Sequence, residues 1–312
     1  MSAWVPATLN SKDNMTLHII GNGFDIHHGI ASTYGAFKDY AWKHTKDGYH
    51  LGMLETCYPE IDPKTGELVL WSELEQALGQ LDFDAAFNIC TEDIEIEEDH
   101  EIRYQAEMED APSTFLPLMY DAFHSIFNQW VNSIDIDKTP DKHIEHFDRH
   151  GLFLQFNYTE TLELLYRIPR HQINYIHGRR KSDDVLIVGH CNDVDSNAHL
   201  SSDPMIYEYQ AYEDIARIVN EEQKQVSDIL LRNQCYFKSL TKVDKIVIYG
   251  HSLSEVDRPY FKEISENVQT DAKWYFSLYY QNPEERRENI GKVLSMIDYL
   301  ELDHNYCHTF SF

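Results

Sequence analysis

The stretch Leu17-His18-Ile19-Ile20-Gly21-Asn22-Gly23-Phe24-Asp25-Ile26-His27-His28-Gly29 decides the fold. It starts with four strand-compatible residues, breaks at two glycines spaced one residue apart, and continues as a helix. Glycine leaves room for a ligand to approach the backbone, and the amide groups at a helix start can face a phosphate. The turn therefore predicts a nucleotide site. Its residues are Gly21, Asn22, Gly23, Phe24 and Asp25.

The turn matches the dinucleotide-binding pattern G-x-G-x-x-G only in part, because Ile26 stands at the position of the third glycine. A strand-to-helix turn without a ligand is therefore the alternative interpretation of this stretch.

Charge and cysteine content restrict the class of protein. The 26 Lys and Arg residues face 53 Asp and Glu residues, and the resulting net charge of −27 disfavours broad nucleic-acid binding. The basic run Arg179-Arg180-Lys181 leaves an oligonucleotide or a dinucleotide open as a ligand.

Five widely spaced cysteines without a C-x-x-C pair indicate a reducing compartment, and we expect a cytoplasmic protein. No apolar run approaches the roughly 20 residues that span a bilayer, so no membrane association is expected.

The rhythm of apolar segments predicts an α/β fold. Short apolar runs of strand length stand at 17–20, 152–156, 173–176, 185–188, 245–249 and 274–278. Helix-compatible stretches separate most of them, which predicts a Rossmann-like parallel sheet of about six strands with helices on both faces. We expect a single α/β domain over 1–312, with a mainly helical insertion, or cap, at approximately 36–148.

Small polar clusters follow most of the predicted strands. In an open parallel sheet, ligands bind beyond the carboxyl ends of the strands, so these clusters should meet in one crevice. They are Gly21 to Asp25, Asn157-Tyr158-Thr159, His177-Gly178, Gly189-His190 and Gly250-His251-Ser252.

The histidines in these clusters also fit a metal site. His177, His190 and His251, with Asp25 and Asp257, form a candidate ligand set, although their spacing matches no compact metal motif. A metal-dependent nuclease or nucleotide phosphohydrolase is therefore the alternative enzyme.

Six separate motifs resemble the AbiH family of bacteriophage abortive-infection proteins. They are I-I-G-N-G-F-D-I-H-H-G-I-A-S-T-Y at 19–34, W-S-E-L-E at 71–75, F-N-Y-T-E-T-L-E at 156–163, Y-I-H-G at 175–178, I-V-G-H at 187–190 and I-Y-G-H-S-L-S-E-V-D at 248–257. The resemblance implies an antiphage role in a bacterium, with a phage-derived trigger or a defence partner protein.

A more distant resemblance connects the same motifs with the sirtuin-type NAD-binding domain, which some antiphage proteins use to hydrolyse NAD. The resemblance implies that Asn157 positions the attacking water or the ribose and that His177 is the catalytic histidine. It also implies that Gly250 and Ser252, with His251 between them, hold the ribose on the adenosine side. The zinc-ribbon cysteines of deacetylating sirtuins are missing from the sequence, which argues against deacetylation.

These observations lead to one hypothesis with two alternatives. NAD is the expected substrate or ligand, no metal is expected, and Asn157, His177 and Asp25 are the expected catalytic residues. Asp25 would stabilise the oxocarbenium character that develops as the nicotinamide–ribose bond breaks. The alternatives are the metal-dependent enzyme and a non-catalytic nucleotide sensor, and the sequence leaves homo-oligomerisation open.

Overall fold

The computed structural model describes residues 15–46, 48–95, 101–136, 143–145, 147–280 and 282–312. Its strands are β1 Met15–Ile20, β2 Leu152–Gln155, β3 Ile173–Tyr175, β4 Val243–Tyr249, β5 Lys273–Ser277 and β6 Cys307–Phe310. Its α-helices are α1 Asn22–His27, α2 Tyr34–His44, α3 Tyr49–Cys57, α4 Leu74–Ala77, α5 Phe83–Thr91, α6 Glu101–Ser133, α7 Thr161–Tyr166, α8 Ile206–Glu221, α9 Val226–Arg232, α10 Gln234–Lys238, α11 Arg258–Asn267 and α12 Pro283–Tyr299.

The six strands form one sheet in the order β3-β2-β1-β4-β5-β6, and every neighbouring pair is parallel. This is the order of the doubly wound dinucleotide-binding fold. Its strand order runs in one direction from β1 to β3 and in the opposite direction from β4 to β6, so the switch point lies between β1 and β4. The predicted Rossmann-like α/β class is therefore confirmed. In such sheets a ligand crevice lies at this switch point, between the carboxyl ends of β1 and β4.

Alternate residues of the central strands face opposite sides of the sheet, as the strand period of two requires. On one side Leu17 pairs with Leu152 and Ile246 in register, and all three are buried under α9 to α12. On the other side the His18 ring stacks on Phe153 with 4.6 Å between centroids. Tyr166 of α7 and Phe24 of α1 complete this second, aromatic layer, so helices cover both faces of the sheet.

The predicted strand at 185–188 is wrong. These residues have no strand pairing, and Val185 is exposed. The Ile187 N–H donates to the carbonyl of His177, which lies beyond the last residue of β3. The segment therefore crosses the carboxyl end of β3 instead of pairing along it. The sixth strand is instead β6, at the opposite edge of the sheet.

The chain divides into two compact units. The first comprises residues 1–32, 131–187 and 225–312 and contains the sheet; the second comprises 33–130 and 188–224. Within the described part of the second unit, α2 packs on α6 through Phe37, Phe127 and Trp130, and α5 packs on α8 through Phe87 and Tyr212. The single domain with a helical insertion at 36–148 stays a prediction. None of the described helices is both long and apolar enough to cross a bilayer.

Candidate functional site

The first turn of the chain interlocks with the turn that follows β4. The Gly21 N–H donates to the Tyr249 carbonyl at 2.9 Å, and the Gly23 N–H donates to the Gly250 carbonyl at 2.7 Å. A Cβ on Gly21 would lie 2.4 Å from the Cα of His251, so the two backbones leave no room for a side chain. Gly250 has a φ of +60°, which favours glycine. Both halves of the predicted nucleotide site therefore meet at the switch point of the sheet.

Several amide groups of this turn donate hydrogen bonds within the protein. The Phe24 N–H donates to the Gly21 carbonyl, in addition to the two bonds of Gly21 and Gly23. Phe24 itself is fully buried in the aromatic layer. The solvent-accessible edge of the two turns consists of half-buried Asn22, Gly23 and Gly250, of the backbone of His251, and of exposed Ser252.

Asn157 follows β2 and joins this site directly. Its side-chain Nδ2 donates to the Gly21 carbonyl at 3.1 Å, and the residue is 7% exposed. The Phe156 N–H donates to the Ile20 carbonyl, which continues the β1–β2 ladder up to this point. The structure therefore places the predicted Asn157 against the glycine turn.

Asp25 lies beneath the turn and is fully buried. Its two carboxylate oxygens accept hydrogen bonds from the hydroxyls of Thr159 at 2.5 Å and Thr161 at 2.7 Å. Burial raises the pKa of Asp25, while the bonds from Thr159, Thr161 and Asn157 and the charge of Arg180 oppose that rise. In this arrangement Asp25 fixes α1 to the turn after β2.

His177 follows β3 and lies close to His251 around a shared aromatic ring. The Phe156 ring meets both imidazoles edge-on, with centroid distances of 5.3 Å to His177 and 4.5 Å to His251. Both side chains also approach Asp257, at 4.0 Å and 3.5 Å respectively. Asn157, His177 and the two glycine turns thus lie together at the carboxyl ends of β1 to β4.

The comparison with protein families agrees with this arrangement of motifs. The model of the family described as Bacteriophage abortive infection AbiH matches residues 17–278. The chain belongs to the AbiH family. Membership implies a role in bacteriophage abortive infection, as the sequence resemblance predicts. No curated protein and no solved structure shows significant similarity to the chain.

The W-S-E-L-E motif lies in the second unit, and so does most of the I-V-G-H motif, from Val188 onward. In the second unit Glu75, from the W-S-E-L-E motif, pairs with the buried Lys224 ammonium at 2.7 Å. His190, from the I-V-G-H motif, is fully buried, and its Nε2 donates to the Val219 carbonyl at 2.8 Å. Burial lowers the pKa of His190. The predicted polar strand end at Gly189-His190 is therefore wrong, because no strand precedes it.

The candidate metal ligands do not form a cluster. Among the described residues, no group of three or more His, Cys, Asp and Glu side chains has an arrangement that would hold a metal ion. His177 and His251 belong to the first unit, and His190 belongs to the second.

Two of the three basic residues after β3, Arg179 and Arg180, pair with acidic residues of the F-N-Y-T-E-T-L-E motif. Arg180 is 3% exposed and its Nε donates to Glu160 at 2.6 Å, while its guanidinium also donates to the Ile134 carbonyl. Nη1 of Arg179 lies 3.6 Å from Oε2 of Glu163. These two arginines therefore hold the turn after β2 in place instead of presenting a basic surface.

Sequence reasoning placed Thr159 in a polar cluster without giving it a role, and it missed Thr161 and Ser277. Thr159 and Thr161 bind Asp25, and the Ser277 hydroxyl at the end of β5 accepts the Gly250 N–H at 2.8 Å. Thr159 and Thr161 stand two residues apart right after a predicted strand, which is the only signal for them in the sequence. Ser277 carries no recognisable signal, since isolated serines are common at strand ends.

Proposed function

We propose that this AbiH protein binds NAD or a related nucleotide at the carboxyl ends of β1 to β4 and hydrolyses its nicotinamide–ribose bond. One observation carries the proposal: Asn157, His177 and the interlocked glycine turns lie together at the switch point of a 3-2-1-4-5-6 parallel sheet. The resemblance of the same motifs to the sirtuin-type NAD-binding domain supports it. Both lines favour a dinucleotide over other ligands.

The exposed edge of the site defines where the nucleotide would lie. Ser252, the half-buried Asn22, Gly23 and Gly250, and the backbone of His251 would contact its phosphates and adenosine-side ribose. The amide groups of Gly21, Gly23 and Phe24 already donate hydrogen bonds within the protein. Hydrogen bonds to the nucleotide phosphates would therefore come from other N–H and O–H groups of this edge. The nicotinamide riboside would approach Asn157 and His177.

The reaction requires one proton acceptor. The C1′–N bond of the nicotinamide riboside breaks and its electron pair leaves with neutral nicotinamide. A water oxygen forms the new bond to C1′, and His177 accepts the water proton before releasing it to solvent. Asn157 would hold the water. Because Asp25 is fully buried and bound by two hydroxyls, we assign it to fixing the turn and not to contacting the oxocarbenium.

Nicotinamide release tests the proposal. Purified protein is incubated with NAD, with and without lysate of phage-infected cells, and the products are separated chromatographically. Wild-type protein should release nicotinamide and ADP-ribose, and Asn157→Ala and His177→Ala should reduce the rate by about 100-fold or more. His304→Ala is the control, because that side chain is exposed and lies 3.8 Å from Asp298 of α12.

Three results would contradict the proposal. Intact NAD under activating conditions, combined with loss of phage defence in Asn157→Ala and His177→Ala, would exclude the reaction. Tight binding of NAD without turnover would identify the protein as a nucleotide sensor. Loss of a different hydrolytic activity on addition of EDTA would favour the metal-dependent alternative.

A further inference from the structure

The Asp257 carboxylate lies between the imidazoles of His177 and His251. Its Oδ1 is 4.0 Å from Nε2 of His177, and its Oδ2 is 3.5 Å from Nε2 of His251. The side chains of Asp257, His177 and His251 are 8%, 4% and 2% exposed. These distances exceed ordinary hydrogen bonds, but catalytic contacts are often long before substrate binds and tighten in the complex.

The tautomer of His251 is fixed by its own loop. The Leu253 N–H donates to His251 Nδ1 at 3.0 Å, and a backbone amide can only donate. Nδ1 is therefore an acceptor, so the ring hydrogen of His251 is on Nε2, which faces Asp257. Leu253 holds this geometry with a φ of +57°, a strained conformation for a branched side chain. Such strain is concentrated at functional sites.

We propose that Asp257 is a positioning residue that orients His177 as the Nε2–H tautomer and leaves His177 Nδ1 to accept the proton from water. This assignment rests on the proposed function, since it names the group that supports its base. When His177 accepts the proton, the positive charge develops beside the Asp257 carboxylate, which stabilises it as the aspartate of a Ser-His-Asp triad does. Neither the sirtuin resemblance nor the family match assigns a role to Asp257.

The variant Asp257→Asn gives a specific expectation. The amide that replaces the carboxylate has one acceptor oxygen and one NH₂ donor, so it can accept from one imidazole but must donate to the other. His251 cannot become the acceptor, because its Nδ1 already accepts from Leu253. His177 must therefore switch to the Nδ1–H tautomer, which removes its proton-accepting nitrogen.

Histidine ring tautomers are read directly by long-range ¹H–¹⁵N NMR of ¹⁵N-labelled protein, with His177→Gln used to assign the His177 signals. We expect His177 and His251 as Nε2–H tautomers in wild-type protein and His177 as Nδ1–H in Asp257→Asn. Glu255→Gln is the matched control, because it removes the same charge from the same turn but its side chain is 77% exposed. A wild-type His177 in the Nδ1–H form, or an unchanged His177 in Asp257→Asn, would overturn the proposal.

Nicotinamide release provides the second readout. Asp257→Asn should lower kcat by about 100-fold or more while KM changes little, because the lost contribution arises in the transition state. Unchanged kcat would overturn the proposal. If wild-type protein hydrolyses no NAD, the proposed function fails and the tautomers alone decide the role of Asp257.

If Asp257→Asn does not fold, His251→Gln replaces it in the NMR experiment. His177 should keep its Nε2–H tautomer in His251→Gln, and a switch of His177 to the Nδ1–H tautomer would contradict the assignment.

Discussion

At the residue scale, the buried carboxylate of Asp25 makes folding sensitive to pH. Because burial raises its pKa, folding favours the protonated form, and its contribution to stability falls as the pH rises above the ordinary value of 3.8. Asp25→Asn keeps the shape of the side chain and removes its titration. We expect the free energy of unfolding of Asp25→Asn, relative to wild type, to increase as the pH rises.

Urea unfolding over about pH 4 to 8 measures this difference. Thr161→Ser serves as the control, since it keeps the hydroxyl that donates to Asp25 and leaves the titration in place. A difference between Asp25→Asn and wild type that stays constant with pH would show that Asp25 does not titrate differently in the folded state.

His28 gives the opposite pH dependence. The Ile144 N–H donates to the Tyr166 oxygen, the Tyr166 hydroxyl donates to His28 Nε2, and His28 Nδ1 donates to the Phe24 carbonyl. This chain of bonds requires a neutral ring, and burial lowers the pKa of His28 to about 4 from 6.5. The stability that it contributes is therefore present above pH 6.5 and is lost as the pH falls toward 4.

The lowered pKa of His28 corresponds to a change of about 3 kcal/mol in the free energy of unfolding between pH 6.5 and pH 4. His28→Gln should consequently lose less stability than wild type between neutral pH and about pH 4.5. His304→Gln, which replaces an exposed histidine, should follow the wild-type curve. Parallel curves for His28→Gln and wild type would exclude the neutral hydrogen-bonded ring as the cause.

At the scale of elements, the interlocked turns after β1 and β4 predict a strong contrast between two glycines. An Ala side chain at Gly21 would meet the His251 Cα at 2.4 Å and the Gly250 oxygen at 2.7 Å, and both are backbone atoms that cannot rotate away. Gly291 lies within α12 with open space at its Cβ position. Gly21→Ala should destabilise the protein by about 3 kcal/mol, whereas Gly291→Ala should stabilise it by about 0.5–1 kcal/mol.

Chemical denaturation of the two variants checks this contrast. Equal stability of Gly21→Ala and wild type would mean that the turns are not interlocked in solution.

Individual elements differed in how well the sequence predicted them. The runs that became β1, β2, β4 and β5 are rich in apolar residues and bounded by turn residues, which predicted strands at these positions. β2 is fully buried, β1 and β4 are buried over most of their length, and buried residues alternate with more exposed ones along β5. Val185-Leu186-Ile187-Val188 has the same composition but crosses the end of β3, because strand pairing depends on a neighbour that composition cannot specify. β6 is short and mostly exposed, and Cys307-His308-Thr309-Phe310 shows no apolar run.

At the scale of the whole molecule, the sequence predicted the fold class and the family but not the contacts of the site. The parallel sheet follows from alternating strands and helices, and it brings strand ends to one edge whatever their separation in the chain. The bond between Thr161 and Asp25 joins residues 136 positions apart. Such a pairing depends on the order of the strands in the sheet, which a single sequence does not give. The contact of Thr161 with Asp25, and the position of Asp257 between two histidines, could therefore be seen only in the structure.

Ligand binding should stabilise the whole protein if the proposed site is real. Nucleotide at 100 times its dissociation constant raises the free energy of unfolding by about 2.7 kcal/mol when it binds only the folded state. Thermal unfolding in the presence of ADP-ribose, the expected product, should show this increase, and Asn157→Ala should reduce it. An unchanged unfolding temperature at saturating ADP-ribose would contradict nucleotide binding.

An experimental structure with ADP-ribose bound tests the proposed nucleotide site most directly. We predict that the nucleotide lies over the carboxyl ends of β1 and β4, with its phosphates near Ser252 and its free ribose C1′ near Asn157 and His177. ADP-ribose bound only to residues 33–130 or 188–224, with this edge of the sheet untouched, would contradict a nucleotide site at the switch point of the sheet.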